Sequence, residues 1–194
     1  MLTRGVRDVI KDGVPGAFVE IGLREGGGTK VIIDALPESP TQHVVIALDP
    51  YGNILYQHDE NTKGDSYGYT NDMRNRSVSA LYRYVSDRPA VNFLYYAMED
   101  VEFFRHFANG VPVYNNGKAL LNEYAFVFVD GPHFLERVLE TVDWFNDRTL
   151  PGAQMVFDNT EQIRFAELQN HMEAAGWQLL EHQKDAAKAR FQKI

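Results

Sequence analysis

The sequence predicts an α/β domain built on a doubly wound, mostly parallel sheet of about seven strands. Three observations predict this fold: short apolar segments recur along the chain, helical patterns separate them, and the apolar segments contain few polar positions. Near-continuous apolarity is typical of strands that are buried on both faces, as in a parallel sheet. The alternation of strands and helices favours parallel pairing through right-handed crossovers.

The elements are predicted in the following order. Residues 1–14 are expected to form an N-terminal helix, and the candidate strands are residues 17–21, 44–48, 91–97, 124–130 and 153–157. Later helices are indicated by apolar residues at helical spacing. These residues are Val78, Leu81, Tyr82 and Val85 in one helix, Leu135, Val138, Leu139 and Val142 in a second, and Phe165, Leu168 and Met172 in a third, before Gly176.

The C-terminal segment predicts the antiparallel part of the sheet. Residues 177–181 and 189–194 are candidate strands joined by a polar turn with no helix between them, so we expect an antiparallel hairpin at the sheet edge. The basic residues that cluster in this segment are interpreted as charges on a solvated edge strand and turn. They are Lys184, Lys188, Arg190 and Lys193.

Residues 51–71 follow neither pattern. They are polar, rich in Gly, Asn, Asp and Tyr, and lack a clear period. An irregular segment of this length within a compact domain is usually functional or mobile. Because it directly follows the second predicted strand, we interpret it as a lid over the carboxyl edge of the sheet, and a disordered insertion is the alternative. Its tyrosines favour the lid.

Composition narrows the class of protein. The 194 residues predict one domain, and the absence of cysteine excludes disulfides, thiolate catalysis and cysteine-ligated zinc. A formal net charge of −8 disfavours binding to nucleic acid. No apolar run approaches the roughly 20 residues that a membrane helix needs. We therefore expect a cytoplasmic protein that binds neither nucleic acid nor membrane.

A glycine-rich turn follows the first predicted strand. The strand ends in Glu20-Ile21-Gly22, and residues 26–28 are three glycines followed by Thr29. Glycines allow a ligand to approach the backbone, and the N–H groups of the following helix can hold an anion. A simple tight turn is the alternative. Arg24 occupies the place of the second glycine in a dinucleotide fingerprint, which disfavours NAD or FAD.

Acidic residues follow the next two strands. Asp49 comes 27 positions after Gly22, a place suited to bonding both ribose hydroxyls of a nucleoside, although a turn residue is the alternative. Glu99 and Asp100 follow the third predicted strand. Since open α/β sheets bind ligands at the carboxyl ends of their strands, these acids are candidate binding residues.

Oxygen-bearing side chains also follow the fourth and fifth strands. Asp130 and the pair Asp158-Asn159 would converge at one edge of a parallel sheet, and such oxygens suit Mg²⁺. Helix capping is the alternative for Asp158-Asn159, but it does not explain Asp130. His133 can accept a hydroxyl proton near neutral pH. Its alternative is a helix N-terminal residue with no catalytic task.

These residues resemble the motifs of class I S-adenosylmethionine-dependent methyltransferases, from about residue 15 to the C-terminus. The resemblance implies a Rossmann-like fold in which the turn at Gly22 faces the methionine part of the cofactor and Asp49 binds its ribose. Glu99 and Asp100 would flank the adenine. The cofactor-binding residues that it implies are Glu20, Gly22, Gly26, Gly27, Thr29, Asp49, Glu99, Asp100 and Asp130.

The sequence is most similar to small metal-dependent O-methyltransferases, the group of catechol O-methyltransferase and macrocin-type sugar O-methyltransferases. Their Mg²⁺ ligands correspond to Asp130, Asp158 and Asn159 in type, order and separation. His133 stands where catechol O-methyltransferase has a lysine as general base, and the Asp-Gly-x-His pattern is similar to the macrocin-type branch. The resemblance implies Mg²⁺-assisted O-methylation of a small sugar-like or phenol-like acceptor, with His133 and Asp130 as catalytic residues.

Two other functions stay open at this stage. A nicotinamide-dependent oxidoreductase would share the fold and the ribose-binding acid, but it would leave Asp130, Asp158 and Asn159 unexplained. A methyltransferase-like binding subunit without activity would be expected to have a degenerate site. Acceptor specificity is expected to lie in residues 51–71 and 111–118, and a homo-oligomer is compatible with the sequence.

Overall fold

The computed structural model describes residues 1–38, 41–54, 68–115, 117–131 and 133–194. Its strands are β1 (Ala17–Ile21), β2 (His43–Leu48), β3 (Val91–Tyr96), β4 (Val111–Tyr114), β5 (Lys118–Leu121), β6 (Tyr124–Val129), β7 (Gln154–Phe157), β8 (Trp177–Gln183) and β9 (Lys188–Lys193). Its α-helices are α1 (Leu2–Lys11), α2 (Gly27–Ala35), α3 (Asn71–Val85), α4 (Asp100–His106), α5 (Leu135–Asn146) and α6 (Phe165–Ala174), and a short 3-10 turn covers Lys184–Ala186.

A seven-stranded sheet in the order β3-β2-β1-β6-β7-β9-β8 forms the middle layer. The pairs from β3 to β7 are parallel, whereas β9 runs antiparallel to both of its neighbours. This order confirms the predicted Rossmann-like, doubly wound sheet with an antiparallel C-terminal hairpin. The chain reverses its winding direction between β1 and β6, and open α/β sheets bind ligands in the crevice at such a point.

Burial on both faces explains why the central strands are almost entirely apolar, with Glu20 as the exception in β1. Every residue of β1 and β6 is buried. Alternate β1 side chains enter two different cores: Phe18 packs with residues of α1, α2 and α3, and Val19 with residues of α4, α5 and α6. Because successive side chains of a strand point to opposite faces, such a strand needs apolar residues at nearly every position.

The C-terminal basic residues differ from their interpretation as a solvated edge. β9 lies between β7 and β8, so the edge strand is β8. Arg190 is 6% exposed and donates to Asp8 of α1 at 2.6 Å and to Gln154 of β7 at 3.1 Å. The interpretation was therefore wrong for Arg190, because this residue is buried inside the sheet, where its ion pair with Asp8 compensates part of the cost of burying its charge.

Two further regions are the β4-β5 pair, which was not predicted, and the predicted lid, most of which lies outside the described residues. The antiparallel pair β4-β5 forms a separate two-stranded sheet, which the sequence did not predict because its residues alternate weakly. The predicted lid falls largely on residues 55–67, outside the described residues, while Thr70 caps α3 by accepting from the Met73 N–H at 3.0 Å. No helix in the described ranges has the length and apolar character needed to cross a membrane.

Candidate functional site

A cavity of about 290 Å³ lies at the carboxyl ends of β1, β2 and β6, where the winding of the sheet reverses. Its volume is close to the lower end of ordinary ligand pockets, roughly 300–1,000 Å³. Five of the predicted site residues line it, namely Gly22, Asp49, Glu99, Asp100 and Asp130. The other lining residues are Ile21, Leu48, Pro50, Tyr69, Met98, Gly131, Phe134 and Arg137.

Gly22 allows the ends of β1 and β6 to meet at this cavity. Its φ is +92°, and a Cβ atom there would lie 2.1 Å from the Asp130 carbonyl oxygen. The Asp130 N–H donates to the Ile21 carbonyl at 2.8 Å, so the two strand ends are tied together. A side chain at position 22 is thus excluded by both backbone conformation and space.

The other glycines of the turn lie outside the cavity and shape the start of α2. Gly26 caps α2 with a φ of +81°, and a Cβ at Gly27 would meet nothing within 4 Å. A Cβ at Gly28 would lie 2.0 Å from Glu20 Oε1, so this glycine makes room for the Glu20 carboxyl. Of the predicted cofactor-binding residues, Glu20, Gly26, Gly27 and Thr29 do not line the cavity.

Glu20 is a buried carboxyl beneath the cavity. It is 1% exposed and accepts a hydrogen bond from the Thr29 hydroxyl. Burial raises its pKa to about 8, the negative charges of Asp130 and Asp49 add to the rise, and the Thr29 hydrogen bond opposes it. The carboxyl is therefore largely protonated at neutral pH and can donate a hydrogen bond as well as accept one.

Asp49 is held at the end of β2 by backbone groups. Its Oδ2 accepts from the Arg24 N–H at 2.8 Å and its Oδ1 from the Tyr51 N–H at 3.1 Å. It is 3% exposed, and burial raises its pKa to about 6 against these two hydrogen bonds. A carboxylate has roughly four acceptor sites, so two are left for a ligand. Such a fixed acid facing a cavity suits a pair of hydroxyl groups.

Glu99 and Asp100 belong to the start of α4 rather than to the end of β3. The Glu99 N–H donates to the Glu102 carboxylate at 2.9 Å in a reciprocal capping box. Asp100 Oδ1 lies 2.5 Å from Arg137 Nη2 of α5. Arg137 also lies 3.7 Å from Glu99, and it lines the cavity. Sequence reasoning missed Arg137, since it occupies an ordinary polar position of an amphipathic helix.

The four residues predicted for metal binding and proton transfer follow β6 and β7, next to the cavity. Asp130 and Asp158 follow the neighbouring parallel strands β6 and β7, and the Asp158 N–H donates to the Val129 carbonyl at 3.0 Å. The Asn159 side-chain nitrogen lies 3.3 Å from Nε2 of His133, which is 5% exposed. Asp130 belongs to both the cavity and this cluster.

The pKa of Asp130 responds to burial and to the charges around it. Burial raises the pKa of Asp130 to about 7, and the negative charge of Asp158 raises it further, whereas Lys188 and Arg24 lower it. No hydrogen-bond donor within the described residues contributes to this pKa. Among the described residues, no three or more His, Cys, Asp or Glu side chains are grouped so that they could hold a metal ion. The acids of the cluster are Asp130 and Asp158, and Asn159 adds an amide.

Lys188 completes the cluster and was not predicted as a site residue. Its ammonium group donates to Asp158 Oδ2, while Asp158 Oδ1 accepts from the Asn159 N–H at 2.9 Å. The register of β7 and β9 pairs Phe157 with Ala189, so the next antiparallel pair is Asp158 with Lys188. The sequence gives no register for these two strands, so it carried no signal that could have found Lys188.

Comparison with known proteins places the fold. No protein-family model matches the sequence, and no curated protein does. Among solved structures, the O-methyltransferase NovP matches with a TM-score of 0.62 at 17% identity, over 100% of this chain and 78% of that chain. The calicheamicin methyltransferase CalS11 matches with a TM-score of 0.64 at 13% identity, over 98% and 75%.

A third match is the O-methyltransferase from Bacillus cereus, solved in complex with SAH. Its TM-score is 0.58 at 15% identity, over 98% of this chain and 79% of that chain. Matches that cover nearly the whole chain at such low identities show a shared fold. The chain therefore has the same Rossmann-like fold as these methyltransferase structures.

Proposed function

We propose that the protein transfers a methyl group from S-adenosylmethionine to a hydroxyl group of a small sugar-like or phenol-like molecule, assisted by Mg²⁺. The observation that carries this proposal is the cavity at the reversal point of the sheet, which Asp49 faces from β2 and Asp130 faces from β6, on either side of Gly22. Likeness of fold to O-methyltransferases supports the proposal.

The residues around the cavity fit the cofactor. Asp49 would accept from the two ribose hydroxyls, because its carboxylate is fixed and keeps acceptor sites in addition to the two backbone donors. Gly22 would let the methionine part approach the backbone. Apolar lining residues, namely Leu48, Met98 and Phe134, would contact the adenine. When bound, S-adenosylmethionine supplies an electrophilic methyl group.

The cluster at Asp130 fits a hard divalent cation. The side chains of Asp130, Asp158 and Asn159 offer oxygen ligands, which Mg²⁺ prefers. The mutual repulsion of the two carboxylates is a state that a cation would relieve. When bound, Mg²⁺ lowers the pKa of a coordinated hydroxyl group.

His133 would accept the hydroxyl proton. Its imidazole is buried and lies beside the Asn159 amide, at the edge of the cluster that would hold the acceptor. A neutral imidazole can take a proton near neutral pH, and a fixed position next to the substrate oxygen adds to the rate. Asp130 would hold the acceptor side of the cavity, since it lies in both the cavity and the cluster.

Calorimetry with S-adenosylhomocysteine and with NAD⁺, each with and without Mg²⁺, tests the proposal. We expect the wild-type protein to bind S-adenosylhomocysteine and not NAD⁺, and Asp49→Ala to weaken that binding by about tenfold or more, since a hydrogen bond to a charged group contributes about 1.5–3 kcal/mol. Binding of NAD⁺ instead would indicate an oxidoreductase. Binding of S-adenosylhomocysteine without methyl transfer to any hydroxylated acceptor would indicate a binding subunit.

Two variants and one control test the metal and base roles. We expect Asp158→Ala to abolish Mg²⁺-stimulated methyl transfer and His133→Ala to lower kcat by roughly 10²–10⁴-fold. Glu161→Ala changes an exposed acid after β7 and serves as the control. Full activity of Asp158→Ala in the presence of EDTA would refute the metal role while leaving the cofactor role intact.

A further inference from the structure

Lys188 places a positive charge inside the cluster that would bind Mg²⁺. Its ammonium group donates to Asp158 Oδ2, and its side chain is 29% exposed. The contact is set by the sheet, because Lys188 begins β9 and the β7-β9 register brings it opposite Asp158. The backbone position of Lys188 is therefore set by the sheet, although its side chain stays partly exposed.

The ammonium group partly neutralises the two carboxylates. Asp130 and Asp158 carry two negative charges when both are ionised, and Lys188 supplies one positive charge. The cluster can therefore persist without a metal, because an internal cation reduces the repulsion between its acids.

A divalent cation at Asp158 would compete with this ammonium group. Both carboxylate oxygens of Asp158 are already engaged, Oδ1 by the Asn159 N–H at 2.9 Å and Oδ2 by Lys188. Mg²⁺ requires nearly ideal octahedral geometry at roughly 2.0–2.1 Å from its oxygen ligands. An ammonium group and a divalent cation on the same carboxylate would repel each other.

Lys188 has a path away from Asp158. Its side chain is partly open to solvent. The long flexible stem of a lysine lets the charged group move while the backbone stays in the strand. Release of the ammonium group therefore requires no change in the sheet.

We propose that Lys188 is a built-in counter-ion that competes with the divalent cation for Asp158, so that metal binding is coupled to release of its ammonium group. This inference rests on the metal site of the proposed function. It makes the metal affinity of the cluster weaker than its oxygen ligands alone would give.

Binding of Mn²⁺, followed by electron paramagnetic resonance on the full chain, tests this inference. We expect Lys188→Met to bind Mn²⁺ about tenfold more tightly than the wild type, because the competing charge is gone; that change corresponds to about 1.4 kcal/mol. Lys188→Arg should bind it more weakly, because a guanidinium group holds a carboxylate through two parallel hydrogen bonds. Opposite shifts in two variants of one residue distinguish competition from general destabilisation.

Controls separate this inference from the proposed function. Lys184→Met removes an exposed lysine four residues earlier and should leave Mn²⁺ affinity unchanged. Unchanged or weaker Mn²⁺ binding by Lys188→Met, alongside Mn²⁺ binding by the wild type, would overturn the counter-ion role alone. Absence of Mn²⁺ binding in every protein would overturn both the metal site and the counter-ion role, while S-adenosylhomocysteine affinity in the same samples reports on the cofactor site independently. If Lys188→Met does not fold, Lys188→Gln replaces it with the same expected direction.

Discussion

Two glycines of the same turn have opposite structural demands. Gly22 has a positive φ and would clash with the Asp130 carbonyl if it carried a Cβ. Gly27, at the start of α2, has open space in the Cβ direction. Both were predicted as cofactor-binding residues from one glycine-rich motif, but at Gly22 the fold itself excludes any other residue.

Replacement of Gly22 by alanine should therefore destabilise the protein. We expect Gly22→Ala to lower the free energy of unfolding by about 2–4 kcal/mol, because the variant combines left-handed strain with a backbone clash. Chemical denaturation measures this change. Gly27→Ala is the matched control, and its unfolding free energy should stay equal or rise by about 0.4–1 kcal/mol. Equal stability of the two variants would contradict the role given to Gly22.

Sequence reasoning succeeded where topology alone brings residues together. The ends of neighbouring parallel strands meet at one edge, so the grouping of Asp130 with Asp158 and Asn159 followed from the predicted strand order. Lys188 required the antiparallel register of β7 and β9, which the strand pattern does not specify. Arg137 required the packing of two helices, and the period of a helix does not specify which helix lies beside it.

Among the elements, α4 and α5 show how one cavity wall is fixed. α4 is a short helix of 7 residues that begins with its own capping box and is joined to α5 through Asp100 and Arg137. Asp100 also accepts from the Val101 N–H at 2.9 Å. The strand-end acids predicted after β3 thus have a structural task in α4 in addition to lining the cavity. The acidic side chains of Glu99 and Asp100 predicted their place at the cavity. The capping box was not predicted, because it depends on the residue at which β3 ends.

Loss of the Arg137 guanidinium group should weaken both this wall and ligand binding. Asp100 is 4% exposed, so Arg137→Met leaves a buried carboxylate without its ion pair. We expect a loss of about 3 kcal/mol in unfolding free energy, the lower end of the range for breaking a buried pair, because Arg137 is 30% exposed. The unfolding free energy, measured by chemical denaturation, and the affinity for S-adenosylhomocysteine should both fall. Arg105→Met removes an exposed arginine of α4 and should change neither; similar losses in both variants would contradict a specific role of Arg137.

At the scale of the whole molecule, three acids with raised pKa values surround one point of the sheet. Glu20, Asp49 and Asp130 follow or end three adjacent strands, and burial is the largest cause of each shift. Strand order predicted that these acids would lie close together. It did not predict their protonation, because the pKa depends on how completely helices cover the strand ends. Burial disfavours the charged form of each acid, so the folded protein holds protons here that the same acids would release in the unfolded chain.

This arrangement makes the stability of the folded protein depend on pH. Between the ordinary carboxyl values near 4 and the raised values of about 6 to 8, the folded protein binds more protons than the unfolded chain. Its free energy of unfolding should therefore fall as the pH rises through this window, by up to about 1.4 kcal/mol per pH unit for each group that is still protonated in the folded state.

Glu20→Gln isolates one contribution, because an amide mimics the protonated carboxyl and cannot titrate. We expect the variant to lose stability less steeply than the wild type between pH 5 and pH 8, so that the difference in unfolding free energy changes in favour of the variant as the pH rises. Urea denaturation at a series of pH values measures it. Glu161→Gln, at an exposed acid, should follow the wild-type curve. Parallel curves for Glu20→Gln and the wild type would show that Glu20 is ionised in the folded protein throughout this range, and the pH dependence of stability would then have to come from Asp49 and Asp130.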